Sequence, residues 1–381
     1  VHRFAAEDMR PTGIELDRLA DPEDVIATES PIWKLYDRFA QMGLHDMESS
    51  GDLPPLEAAL LNARIGEEMG WGDAGLSISL GAARYPYLLI EMLGNDELKD
   101  LYLTPDPQIG CWAITEADHG SDSISFRLSH GTNVPIKPSV IAHRDGDEYV
   151  LSGSKSAWVS NGVIAQLAGL HCAIEGDGGF AKGGICIVPL DLSGVTKGKN
   201  LDKLGQRPLP QGEIHFNEAR IPASHMIVDE NSYGDIIELI LALANAHMGS
   251  TFSGLARASY ELALDYAKER VQGGVPIIEH QHVQSRLLKM FAKVQAAAAL
   301  SRQTRVMGAA LGGSPPLQNS IASKIFCTNT AFEVASEAVQ IFGGNGLTRE
   351  YPIEKMLRDA RSSMIEDGCN EMLSILGGAK L

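Results

Sequence analysis

Two carboxylates stand side by side at Glu366 and Asp367, and Gly368 follows at once. A carboxyl held against apolar surroundings has a raised pKa and can serve as a general base. Adjacent acids before a glycine are also the ordinary make-up of a solvated helix end, so the residues alone leave both readings open. The run AITEADHGSD, 113–122, ends in Gly-Ser-Asp, by itself a turn that presents the Ser121 hydroxyl. The run KSAWVSNG, 155–162, sets the Trp158 indole two residues before the Ser160 hydroxyl, and the plain reading is a core tryptophan in a sheet. His280 and His282 flank Gln281, but histidines at i, i+2 do not share a helical face and no third ligand is near, so no metal site is expected. GGNG, 343–346, is not GxGxxG and follows no strand, which removes a Rossmann reading. GDGGFAKGG, 176–184, lacks the Lys-Ser/Thr of a P-loop and reads as a hairpin loop.

The elements that must position these groups follow from two switches in hydrophobic period. Residues 1–108 read as helices. The stretch 22–44 places Ile32, Leu35, Tyr36, Phe39 and Met42 on one face, LPPLEAALLNARIGEEMG starts after a proline pair, and YLLIEMLGNDELKDLYL is helix, Gly-Asn break, helix. Residues 109–232 read as short β-branched or alternating strands, with Asp145-Gly146 as a hairpin signal. Residues 233–381 are helical again. The first helix there is apolar on most faces, as expected of a helix buried on several sides. Helices, then strands, then helices predict an α+β chain with segregated parts, the middle one a β barrel or sandwich.

Composition narrows the partners. The chain has 381 residues, 44% hydrophobic, enough for about two to three domains. A formal net charge of −17 repels nucleic acid and anionic lipid. Five scattered cysteines with no CxxC suit a reducing cytoplasm and argue against a disulfide scaffold. The charged N-terminal stretch has no signal-peptide h-region, and no run reads as a membrane span.

Taken together, QIFGGNG (340–346), EYPIEKMLRDAR (350–361) and IEDGCNE (365–371), in register, resemble the C-terminal signature of the acyl-CoA dehydrogenase family: QIFGGNG, EYPVEKLMRDAK and YEGTSE. AITEADHGSD resembles that family's TEPxxGSD block, KSAWVSNG its KxWITNG strand, and ERVQGGVPIIEHQ (269–281) its ERxxFGxPIxxxQ run. The resemblance covers nearly the whole chain. It implies an N-terminal helical domain (1–108), a middle β domain (109–232) and a C-terminal four-helix bundle (233–381), with FAD between the last two. It further implies α,β-dehydrogenation of an acyl-CoA, electrons passed to an electron-transferring flavoprotein, and a homotetramer, or a dimer built on the same interface.

Carried across position by position, Ile114, Thr115, Ser121, Trp158 and Ser160 would face the flavin half of FAD. Arg270, Gln272, Gln281, Gln340, Gly343 and Gly344 would face its pyrophosphate and adenosine half from a neighbouring subunit, a guanidinium fork being suited to two phosphate oxygens at once. Cys369 and Glu371 would approach the flavin and the phosphates. Asp367 falls on the catalytic base, with Glu366 as the alternative, and Ser121 and Asn245 fall beside the substrate. The departures are specific. The base is usually Glu, one methylene longer. Asn245 replaces an arginine, Gly273 a phenylalanine, which should loosen its loop, and Ala117 a proline. HDMESSGDLPPLE (45–57) replaces the PEEYGG loop, and the segment around RLSHGTNVPIKP (127–138) is longer than usual. These last two point away from a plain straight-chain acyl group. The different-class alternative is an idle flavin-binding subunit of a heteromeric complex.

Overall fold

The computed structural model describes residues 1–43, 53–104, 107–124, 138–175 and 179–381. The replaced loop within 45–57, most of 127–138 and the start of the glycine run at 176 lie outside the described residues. Helix α1 (His2–Phe4) runs through a π turn (Ala5–Met9) into α2 (Arg10–Asp17). The helix expected over 22–44 is split. A 3-10 turn at Pro22–Ile26 stops, and α3 (Pro31–Gln41) starts afresh because the Ser30 hydroxyl accepts the Ile32 N–H at 3.3 Å with Pro31 at the first helical position. Ile32, Leu35 and Phe39 are buried as expected, but Met42 lies past the helix end and is exposed. Helix α4 (Pro55–Gly72) follows Pro54. Helix α5 (Ala74–Leu93) is capped by Asp73, and α6 (Asp96–Tyr102) by Asn95 just after the Gly94 break.

The strands are β1 (Gly110–Ala113), β2 (Ile141–Asp145), β3 (Glu148–Lys155), β4 (Leu167–Ile174), β5 (Gly183–Pro189), β6 (Val195–Lys197), β7 (Ile214–Pro222) and β8 (Met226–Val228). They form one eight-stranded sheet in the order β6-β7-β3-β2-β4-β5-β8, with β1 also paired to β4. The β2–β3 hairpin turns at Gly146, whose φ of 60° glycine adopts without steric cost. β1 and β2 lie end to end along β4, both parallel to it. Two buried side chains close the gap between them. Glu116 accepts the N–H groups of Ser139 and Val140, and Lys155 Nζ donates to the Ile114 carbonyl at 3.1 Å and to Glu116 at 2.7 Å. The charges sit where backbone groups would otherwise be buried without partners.

Helix α7 (Tyr233–Glu269) is the axis of the helical part. It is long and apolar enough by composition to cross a membrane, contrary to the reading of the sequence, but its apolar faces pack on α4, α8 and α9. A Cβ at Gly254 would lie 2.0 Å from the Glu67 carbonyl oxygen, so glycine there lets the α4 and α7 backbones touch. A two-strand hairpin, β9 (Val271–Gln272) and β10 (Val275–Pro276), leads to α8 (Gln281–Ala310), α9 (Leu317–Phe342), α10 (Ile353–Ser363) and α11 (Asn370–Gly378). Both turn residues of the hairpin, Gly273 and Gly274, have positive φ, 69° and 88°. That is the backbone of a tight two-residue turn, so Gly273 closes the loop instead of loosening it.

Candidate active site

The loop between α10 and α11 carries both acids, and the preceding helix is anchored to the rest of the chain. Arg358 donates to both carboxylate oxygens of Asp17 (2.9 and 2.7 Å) and to Glu354. Lys355 bridges Asp73 and Asp359 at 2.6 Å each, inside the fold. Gln206, from the segment before β7, is buried in a left-handed conformation (φ 50°) and joins this array. Its backbone N–H donates to Asp359, and its amide Nε2 donates to Glu366 Oε1 at 2.6 Å. Burial and the Asp367 charge push the Glu366 carboxyl up to about 7, opposed by Gln206, Lys324 and Lys203. Burial likewise lowers Lys203 to about 7, although the Glu366 and Asp359 charges work against it.

Asp367 is different. Its backbone is left-handed (φ 52°), as is that of Gly368 (φ 92°), so the chain turns sharply there. Half-buried, its carboxyl is raised by desolvation and held down by Lys324, and it has no hydrogen bond among the described residues. The Ser121 hydroxyl accepts the Cys369 N–H at 2.9 Å, which ties the Gly-Ser-Asp turn to this loop. Gly368 lies against Ile124 and Leu373. Ile114 shares one apolar cluster with Ile237, Leu241, Ile321 and Leu373.

On the β domain, Trp158 is 58% exposed. It is therefore not the core tryptophan of the plain reading. Gln211 fixes this segment, donating to the Trp158 carbonyl at 3.1 Å and to the Ser160 hydroxyl at 3.4 Å. Asn161, buried and left-handed (φ 63°), bonds Ser79 on α5 and Gly110 on β1. Thr115 accepts the Ser156 N–H through its carbonyl at 3.0 Å. Thus Ile114, Thr115, Ser121, Trp158, Ser160, Asp367 and Cys369 belong to connected segments of one chain.

Arg270, Gln272, Gln281, Gln340, Gly343 and Gly344 form a second, exposed set on the helical part, and Glu371 is exposed at the start of α11. Arg270 makes no ion pair among the described residues. A Cβ at Gly343 or Gly344 would meet nothing within 4 Å. Asn245 belongs to neither set. It is fully buried, its amide donates back to the Leu241 carbonyl at 2.9 Å, and its Oδ1 has no partner.

The sequence reading missed Gln206, Lys203, Asn161, Lys324 and the Glu116–Lys155 pair. A lone lysine inside the otherwise uncharged stretch LQNSIASKIFCTNTAF was a usable signal for Lys324, and Asn161-Gly162 was a turn signal. Gln206 had none.

An exposed indole flanked by hydroxyls, together with a distant set holding a guanidinium, free amides and open glycines, fits a cofactor with an aromatic ring at one end and a diphosphate at the other. The family description of the acyl-CoA dehydrogenase middle domain matches residues 111–219, and that of the C-terminal domain matches 236–381. The probable acyl-CoA dehydrogenase YngJ of Bacillus subtilis (strain 168) is 32% identical over 80% of this chain and 78% of its own. Cyclohex-1-ene-1-carbonyl-CoA dehydrogenase of Syntrophus aciditrophicus (strain SB) is 28% identical over 84% and 75%. Butyryl-CoA dehydrogenase of Megasphaera elsdenii, a solved structure, superposes with a TM-score of 0.86 at 25% identity, covering 100% of this chain and 95% of that one. The chain belongs to the acyl-CoA dehydrogenase family.

Proposed function

We propose that this protein removes the α-proton of an acyl-CoA with Asp367, in an FAD-dependent α,β-dehydrogenation whose electrons pass to an electron-transferring flavoprotein. One observation carries the choice of base. Both acids are half-buried and raised by desolvation, but Glu366 accepts the Gln206 amide N–H whereas Asp367 has no hydrogen bond among the described residues. A general base needs a free lone pair at the reacting carbon before its pKa matters. When bound, FAD supplies the acceptor for the β-hydride. Trp158, Ser160 and Thr115 would hold its ring end, and Arg270, Gln272, Gln281, Gln340, Gly343 and Gly344 of a second copy its diphosphate and adenosine end. Ser121 keeps the loop of Asp367 in place through the Cys369 N–H. The left-handed Asp367 backbone is the feature we assign to recovering the reach lost with the shorter side chain.

The acyl group we propose is compact or cyclic, not a plain straight chain. The branched wall of Ile114, Ile124, Leu241 and Leu373 beside Gly368 supports this, as does the cyclohexene-carbonyl relative. The test is anaerobic addition of an acyl-CoA panel, cyclic and linear, to the FAD-loaded protein while flavin absorbance is followed. Bleaching by cyclic or branched members ahead of linear ones is the expected result. Asp367→Asn should abolish bleaching and Glu366→Gln should not. The reverse pattern makes Glu366 the base, and no bleaching by any member with wild type leaves an idle flavin-binding subunit.

A further inference from the structure

We propose that Lys324, on α9, is a positioning residue for this reaction: it fixes the turn that carries Asp367 and supplies the cation that keeps Asp367 ionised before substrate enters. The inference rests on the assignment of Asp367 as base. Lys324 is fully buried in mid-helix, among Ser320, Ser323, Cys327 and Thr328. Its Nζ donates to the Gly368 carbonyl at 2.9 Å and to Asn370 Oδ1 at 2.8 Å, on either side of Cys369. Asn370 is held in turn by α9, its amide donating to Thr328 Oγ1 and to Asn329 Oδ1 at 3.1 Å each. One helix thus grips both ends of the short segment after Asp367, and grips it at the residue whose φ of 92° makes the turn.

The charge has its own consequence. A buried ammonium is costly unless it is paired, yet both direct partners of Lys324 are neutral oxygens. Its balancing charge lies close by on the base loop, on Asp367 first, then on Glu366, Cys369 and Glu371. Burial lowers Lys324 to about 8 against the pull of those groups. Seen from the acids, Lys324 is the cation facing Asp367, while Glu366 is also faced by Lys203 and bonded by Gln206. The two acids are thereby served unequally: the β domain holds Glu366, and α9 holds the turn of Asp367. Lys324 Nζ bonds the carbonyl of Gly368, the residue next to Asp367, and a nearby cation favours the ionised form of a carboxyl by about one to three pH units. Without it, desolvation alone would act on the Asp367 carboxyl and raise it further.

The experiment uses FAD-loaded, oligomeric wild type, Lys324→Gln and Lys324→Met, each given an acyl-CoA that reduces the wild-type flavin. The rate of anaerobic flavin reduction is followed against pH. The expected result is an acid limb displaced upward by about one pH unit in both neutral variants, so that the rate is cut about tenfold below the limb and much less on the plateau. Lys324→Arg, which retains the charge, should return the limb toward wild type. A uniform fall at every pH with the limb unmoved overturns the proposal, and so does loss of bound FAD or of the fold in both neutral variants, since either is what a purely structural lysine would give. Turnover in Asp367→Asn would instead sink the assignment of the base, whatever the Lys324 variants do. An inert Asp367→Asn beside an unmoved limb would sink this inference alone.

Discussion

The loop carrying the proposed base and the Arg270–Gly344 surface proposed for the cofactor are built on opposite principles. The base loop is finished within one chain. Asp17 and Asp73 from the N-terminal part, Gln206 from the β domain and Lys324 from the bundle reach it or its helix. The second half is a set of exposed side chains and open glycines that contact almost nothing else. The groups proposed to handle the proton are prefixed by the fold, whereas those proposed to hold the cofactor's tail are left open.

The sharpest way to break this contrast is Asp367→Asn. Flavin reduction by acyl-CoA should fall by about a thousandfold, while FAD content stays at the wild-type level. Lost FAD in that variant would show that the two halves are not separate. Arg270→Ala should do the converse. Removing a charged fork from a diphosphate costs about 2 kcal/mol, roughly thirtyfold in FAD affinity. Because a ligand bound only by the assembled state stabilises it, the oligomer should also dissociate on dilution. Gel filtration with absorbance at the flavin band reads both, and full occupancy after dilution would contradict a shared site.

Smaller effects come from within the base loop. Gln206→Leu removes the Nε2 donor of Glu366 Oε1 and of the Asp359 carbonyl, and leaves the backbone N–H on the Asp359 carboxylate. It should lower unfolding stability by about 1–3 kcal/mol in denaturant titration and slow flavin reduction only severalfold. The smallest effect is a pH slope. The Glu366 carboxyl is raised from 4.5 to about 7 in the fold. A carboxyl raised on folding costs stability as pH climbs, because the unfolded chain releases its proton near 4.5 and the folded one keeps it until about 7. Stability should therefore fall across that window and level off above it. Glu366→Gln should flatten this part of the curve, and a variant curve merely parallel to wild type would show Glu366 already ionised in the fold.

The architecture was legible because periodicity survives averaging. The two switches near residues 109 and 233 separate strands from helices regardless of detail, and β1 begins at Gly110 while α7 begins at Tyr233. The site was legible only where chemistry sits on contiguous residues. Ser121, Trp158 and Asp367 could be read from short runs. The partners that decide between the two acids could not, because Gln206 and Glu366 are 160 residues apart and meet only through a left-handed turn. The burial of Asn245 on α7 likewise depends on packing that no short run of sequence encodes.

The exposure of Trp158 gives the molecule a built-in lamp. The other three indoles are engaged elsewhere: Trp33 donates to the Ala27 carbonyl, Trp71 to Glu261 beneath the Arg10 guanidinium, and Trp112 to His171 inside the sheet. Only Trp158 stands largely in water, on the face assigned to the flavin ring, and a flavin absorbs where tryptophan emits. Emission from the FAD-free protein should thus carry a red-shifted component that Trp158→Phe deletes and that dims as FAD is titrated in. Occupancy of the ring half could then be followed by colour alone, without substrate and without turnover.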